Sequence, residues 1–172
     1  EVRVYSYEPF EGSFNLLKEN IMINNLEGNI ITFQNGVCGK KGNRTLLISK
    51  KGFAWHSMFN FVSKTSHWTF GKSDKGIKKI DIKCTTLKDI FDSNKISKCH
   101  FLKMNCEGAE YEILFNTPPS YLKRIDSMTI EYHPSGDIKK LIKFLENNGF
   151  IAIIEVPRLA NYPLLYIEKL KK

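Results

Sequence analysis

The alternation of strand-like and helix-like segments is the feature that most constrains the fold of this chain. Short β-branched or apolar runs, such as 2–7 and 99–104, alternate with amphipathic stretches such as 12–25. Such alternation specifies a mostly parallel sheet covered by helices, with ligands bound at the carboxyl ends of the strands. We therefore predict an α/β fold in which the last two strands, 150–155 and 164–168, form an antiparallel pair.

The length of 172 residues predicts a single domain that spans 1–172. Strand patterns at 45–49 and 77–84 flank a stretch, 53–70, that is rich in Phe and Trp and has no clean period. This pattern predicts an insertion at about 45–84, built from a β-hairpin and an aromatic loop. Such aromatic side chains could stack on bases or sugars, but they more often pack on the sheet.

Charge, cysteine spacing and apolar runs exclude several classes of protein. The net charge of +8 permits a nucleic-acid partner, but the lysines are spread along the chain, which argues against one. The four cysteines contain no CxxC pair, so we expect reduced, structural thiols in a cytoplasmic protein without a metal. The apolar runs are too short to span a membrane. GxSxG, P-loop and HExxH motifs are absent, which leaves hydrolases and kinases without support. Nothing in the sequence indicates the oligomeric state.

Polar residues stand at the predicted carboxyl ends of strands, where an α/β sheet binds its ligands. They are Glu8, Asn35, Asn105 with Glu107, and Glu131 with His133. An acidic residue in the position of Glu8 can accept hydrogen bonds from both hydroxyls of a nucleotide ribose. The alternatives for Glu8 are a solvated strand end or a cap for the helix that follows.

The string Lys103–Glu110 is the most specific in the chain. It predicts a strand that enters a tight turn at Gly108 and continues as a helix, with Glu107 presented at the sheet edge. Glu110 falls in the first turn of that helix, where it would interact favourably with the helix dipole. Two carboxylates this close could also serve in acid–base chemistry or hold a divalent cation.

His133 follows the next predicted strand. Its ordinary pKa of about 6.5 suits a general base at neutral pH. The alternative is a polar turn residue, which the following Pro134 favours.

Taken together, these strings resemble the FkbM family of methyltransferases, and the resemblance extends from about residue 4 to 150. The matching strings are YEPF at 7–10 with LLKEN at 16–20, TTLKD at 85–89, FLKMNCEGAE at 101–110 and IEYH at 130–133. The resemblance implies a Rossmann-like class I methyltransferase sheet. It also implies transfer of a methyl group from S-adenosylmethionine to an oxygen of a sugar or small metabolite, so the expected partner is a small-molecule or glycan acceptor.

The resemblance also implies residue roles. Glu8 would bind the cofactor ribose, with Asn35 and Gly36 near the adenine and Asn105 facing the methyl-transfer site. Glu110 and Glu131 would contact the acceptor. His133 would be the catalytic base, with Glu107 as the second choice.

Two departures from the family pattern bear on activity. The family has Asp where this chain has Asn105, and a neutral amide serves neither as a base nor as a strong metal ligand. The family's first strand and glycine-rich loop are not in this chain, and that strand would lie between those ending at Glu8 and Asn105. We expect upstream sequence to supply both, and the chain alone to bind cofactor weakly. A degenerate, non-catalytic methyltransferase fold used as an interaction module therefore stays open as the second hypothesis.

Overall fold

The structure is a computed structural model that describes residues 2–49, 56–57, 77–133, 135–155 and 164–170. The strands within these ranges are β1 (Val4–Tyr7), β2 (Ile30–Phe33), β3 (Gly36–Val37), β4 (Gly42–Ser49), β5 (His56–Ser57), β6 (Ile77–Thr85), β7 (Cys99–Met104), β8 (Ile125–Glu131), β9 (Phe150–Glu155) and β10 (Leu164–Lys169). The helices are α1 (Glu11–Ile23), α2 (Leu87–Ser93), α3 (Glu110–Phe115), α4 (Pro119–Leu122) and α5 (Ile138–Asn147). No helix in the described part of the chain is long and apolar enough to cross a membrane.

The described strands form three sheets. β1 and β2 form a parallel pair, and the second sheet has the order β7-β8-β10-β9. In that sheet β7 and β8 are parallel, whereas β10 is antiparallel to both β8 and β9. The third sheet has the order β3-β6-β4-β5. The α/β class and the antiparallel pair of C-terminal strands are thus confirmed.

The prediction of a mostly parallel sheet needs correction, because the sheets are mixed. The longest ladder joins β4 and β6, which run antiparallel from the pair Gly42 and Cys84 to the pair Ser49 and Ile77. A strand pattern of period two indicates which face is buried but not the direction of the neighbouring strand. The β4–β6 ladder lies where we predicted the insertion; apart from 56–57, the aromatic loop 53–70 lies outside the described residues.

The main hydrophobic core lies between the β7-β8-β10-β9 sheet and helices α2, α3 and α5. Leu141 and Leu145 of α5 are four residues apart and therefore share one helix face, and both are fully buried. Leu165 and Ile167 of β10 are two apart and share one face of the sheet. Burying each such side chain contributes about 1.5–3 kcal/mol. This packing fixes the positions of the ends of β7 and β8.

Side chains just before helices α2 and α1 accept hydrogen bonds from nearby backbone N–H groups. The Thr86 hydroxyl caps α2, as its sequence position suggests, by accepting the Asp89 N–H at 3.0 Å. At the start of α1, the Glu8 carboxylate accepts the Phe10 N–H at 2.7 Å. Glu8 thus makes a local contact with the residue before α1, but the N-cap of that helix is Phe10, and no side chain caps it.

Candidate active site

The loop between β7 and α3 is the centre of the candidate site. Met104 at the end of β7 lies beside Ile130 of β8 in the parallel ladder. Since the two strands run in the same direction, the residues after them emerge at the same edge of the sheet. The structure thereby brings the loop at 105–109 next to His133, as the sequence predicted.

The backbone of this loop adopts a conformation that needs support. Glu107 has a φ of +50° and Gly108 a φ of +107°. The left-handed region costs a non-glycine residue roughly 1–2 kcal/mol, whereas glycine enters it freely. Contacts elsewhere must therefore hold Glu107 in place.

Glu110 supplies the main support for the loop. Its Oε1 accepts the Cys106 N–H at 2.9 Å and the Gly108 N–H at 3.2 Å, and lies 3.0 Å from His133 Nδ1. The side chain is completely buried, and its Oε2 has no hydrogen-bond partner among the described residues. A carboxylate this enclosed braces the loop, and the contact between Glu110 and an acceptor stays a prediction. The same enclosure disfavours the cation-binding alternative.

His133 lies between two carboxylates and is only 4% exposed. Its Nδ1 is 3.0 Å from Glu110 Oε1, and its Nε2 is 3.3 Å from Glu107 Oε2. Burial alone favours the neutral ring, but Glu107 and Glu110 outweigh it and raise the pKa of His133 to about 9. The ring is therefore an imidazolium at neutral pH. This geometry favours a positioning role for His133 over the predicted role as a base.

Glu8 approaches the same loop from β1. It is half-buried, and burial raises the pKa of its carboxyl group although the hydrogen bond from Phe10 opposes the rise. Burial also raises the pKa of the Cys106 thiol, and nearby carboxylates, Glu8 among them, raise it further. The end of β1 is therefore near enough to the loop after β7 for Glu8 to act electrostatically on Cys106.

Comparison with known proteins assigns the family. The family model described as the methyltransferase FkbM domain matches residues 1–152. This chain belongs to the FkbM methyltransferase family.

A curated relative of this FkbM chain is a protein named methyltransferase sdnD, from Sordaria araneosa. The two are 21% identical over 171 residues, an alignment that covers 87% of this chain. The chain spans 65% of the length of that relative. No solved structure matches significantly.

Residues 135–136 of the FkbM chain support the site in a way that sequence reasoning missed. The Ser135 hydroxyl donates to the Gly108 carbonyl oxygen at 2.9 Å. A Cβ on Gly136 would lie 2.5 Å from the ring of Tyr111, so the segment packs tightly against α3. The only sequence signal was a turn composition after His133, which does not reveal what the turn touches.

The remaining predicted site residues of the FkbM chain are more dispersed. Asn105 is exposed immediately after β7, and Glu131 is half-buried as the last residue of β8. Asn35 and Gly36 lie at the start of the third sheet, where Gly36 pairs with Cys84. Among the described residues, no three His, Cys, Asp or Glu side chains are arranged to hold a metal ion.

Close packing favours glycine at position 36, whether or not a cofactor binds there. A Cβ there would lie 2.9 Å from Ile82 Cδ1 and 3.0 Å from Cys84 Sγ. We expect Gly36→Ala to lower the free energy of unfolding by about 1–3 kcal/mol, measured by urea denaturation. Gly28→Ala is the matched control, since its Cβ would meet nothing within 4 Å and its effect should stay within about 1 kcal/mol. If Gly36→Ala leaves the stability unchanged, the surroundings relax around the added methyl group. The predicted adenine contact would then be the better explanation for glycine at this position.

Proposed function

We propose that this chain is the part of an S-adenosylmethionine-dependent methyltransferase that binds the cofactor ribose and the methyl acceptor. The observation that carries the proposal is the 105–110 loop, held by Glu110 at the joint carboxyl end of β7 and β8 in a chain of the FkbM family. Such a strained and braced loop at a strand end is a typical place for substrate-positioning groups.

The residues at the end of β1 fit the cofactor. Glu8 accepts the Phe10 N–H with one oxygen, and a carboxylate has lone pairs for several more donors. Its partial burial favours hydrogen bonds over solvation, so it can take the ribose hydroxyls of S-adenosylmethionine. We assign Asn35 and Gly36 to the adenine side. When bound, the cofactor supplies an activated methyl group on its sulfonium.

The chain's own task is then to orient the acceptor and remove its proton. We assign orientation to the exposed amide of Asn105, which can both donate and accept a hydrogen bond. Because His133 is an imidazolium, Glu107 becomes the candidate base; its side chain is 38% exposed and contacts His133 with Oε2. Glu131, at the end of the neighbouring strand, is assigned to the acceptor. The acceptor that suits such polar groups is a hydroxyl of a sugar or small metabolite.

Glu8→Gln tests the cofactor assignment. The variant keeps a carbonyl oxygen for the Phe10 N–H but loses the charge and one acceptor for the ribose. We expect calorimetric titration with S-adenosylhomocysteine to show at least about a tenfold weaker affinity, which is roughly 1.4 kcal/mol. Glu11→Gln is the matched control, because Glu11 is exposed on α1 and carries the same charge. The sequence predicts weak binding by this chain, so the titration should extend to millimolar ligand.

A non-catalytic module is the second candidate function, and Asn105 is the residue that favours it. An amide at the methyl-transfer position, beside a histidine held as an imidazolium, provides little basicity. That module would bind neither S-adenosylmethionine nor S-adenosylhomocysteine at millimolar concentration. Equal affinities of wild type and Glu8→Gln would likewise count against the assignment of Glu8.

A further inference from the structure

Cys38 and Cys84 meet in the smaller of the two hydrophobic clusters. All four cysteines lie in the described part of the chain, and each is present as a thiol. Cys38 is 1% exposed and Cys84 is 5% exposed. Their Sγ atoms are 2.6 Å apart, whereas a disulfide bond is about 2.0 Å long. A small movement would therefore bring the two sulfurs within bonding distance.

The sheet register explains why these two thiols meet. In the third sheet Cys84 on β6 lies between Gly36 on β3 and Gly42 on β4. Neither glycine offers a side chain, so the space beside Cys84 is filled by Cys38, two residues beyond Gly36 and on the same face. The Cys38 N–H donates to the Thr85 carbonyl oxygen at 2.9 Å, which fixes its backbone.

The surroundings shift the pKa values of the two thiols in opposite directions. The hydrogen bond from Cys38 is the largest influence on Cys84 and lowers its pKa. Burial and the Glu112 carboxylate raise the pKa of Cys84, whereas the Arg44 guanidinium lowers it. The same hydrogen bond raises the pKa of Cys38, and burial adds to the rise. Within the pair, Cys84 is therefore the thiol that ionises more readily, with Cys38 next to it as the proton-bearing partner.

We propose that Cys38 and Cys84 are a peroxide-oxidisable dithiol that closes to an intrachain disulfide. The Cys84 thiolate attacks one oxygen of hydrogen peroxide; an S–O bond forms, the O–O bond breaks, and the leaving hydroxide takes a proton to become water. The Cys38 sulfur then attacks the Cys84 sulfenic acid, the S–S bond forms, and the S–O bond breaks. The Cys38 proton goes to the departing hydroxide. Two thiols are oxidised, and one peroxide is reduced to two waters.

Burial makes this site selective for a small oxidant. Hydrogen peroxide is close to water in size, whereas oxidised glutathione is a bulky, charged tripeptide disulfide. Cys99 and Cys106 are more exposed than the pair and provide internal comparisons. We therefore expect peroxide to cross-link the pair, and oxidised glutathione to modify Cys99 in preference to Cys38 or Cys84.

Peptide mapping of the whole chain tests the proposal directly. Trypsin cleaves after Lys and Arg, which places the four cysteines on four different peptides: 19–40, 84–88, 99–103 and 104–123. After hydrogen peroxide and alkylation of the remaining thiols, mass spectrometry without reduction should show peptides 19–40 and 84–88 joined, with two hydrogens lost. Dithiothreitol should separate them. A bond across 46 residues should also raise the melting temperature by about 5–10 °C.

Variants supply the controls. Cys84→Ser should abolish both the linked peptide and the melting shift, whereas Cys99→Ser should keep both. The proposal is overturned if peroxide leaves peptides 19–40 and 84–88 unlinked in the wild type. Further oxidation of Cys84 without linkage, or linkage to another cysteine, would overturn it as well. The wild-type map decides the question even if Cys84→Ser does not fold.

Discussion

Glu110→Ala is expected to lower the free energy of unfolding by about 3–5 kcal/mol, the loss typical of removing one partner from a buried ion pair. The carboxylate accepts two loop N–H groups and faces the His133 ring. Its removal leaves these donors without their acceptor and leaves the imidazolium with Glu107 alone. It also releases the left-handed backbone of Glu107. Urea denaturation of wild type and variant measures the loss.

Two further variants separate the contributions of charge and hydrogen bonding. Glu110→Gln keeps the side-chain shape and one acceptor oxygen but removes the charge, so its loss should lie between those of wild type and Glu110→Ala. Glu107→Gln is the matched control on the other side of the ring, where the carboxylate is partly exposed; its loss should stay near or below about 1 kcal/mol. A loss below about 1 kcal/mol for Glu110→Ala would contradict the bracing role of this residue.

The stability conferred by His133 is expected to decline as the pH rises from about 6.5 to 9. The pKa of His133 is about 9 in the folded protein and roughly 6.5 in the unfolded chain. Because the folded value is higher, the stabilisation is fully present below pH 6.5 and is lost as the pH rises through 9. The full difference is at most about 3 kcal/mol.

His133→Gln isolates this contribution from other titrating groups. The difference in unfolding free energy between wild type and variant should shrink across the window, since glutamine does not titrate. The His133 ring protons should titrate in NMR spectra with a midpoint well above 6.5, and Glu110→Gln should lower that midpoint. A wild-type midpoint at or below 6.5 would show that burial outweighs the carboxylates, and would restore His133 as a candidate base.

Local patterns in the sequence predicted local structure well. The strand at 99–104 has the predicted bounds, and Thr86 caps α2 where the pattern places it. The antiparallel C-terminal pair also follows from strand patterns separated by a short connection. Chain order could not reveal that β10 lies between β8 and β9, since that order depends on which faces pack in three dimensions.

In the candidate site, too, the sequence predicts some features, whereas others depend on the tertiary structure. Its residues were predicted to converge because the carboxyl ends of parallel strands meet, and Glu107 and His133 do so. Their protonation was not predictable, because the pKa of His133 depends on two carboxylates and on burial that only the packed loop creates. In the sequence, the position of Glu110 predicts only an interaction with the helix dipole. Its contact with His133, 23 positions away, depends on the tertiary structure.

The left-handed backbone of Glu107 has a consequence for mutational scans of this loop. Glycine at that position would relieve a strain of roughly 1–2 kcal/mol, and the same change would delete an ion pair with His133 that contributes about 1 kcal/mol or less. The two effects have opposite signs and partly cancel. A near-neutral score for Glu107→Gly would therefore conceal two opposing contributions, and tolerance at position 107 would not mean that the glutamate is idle.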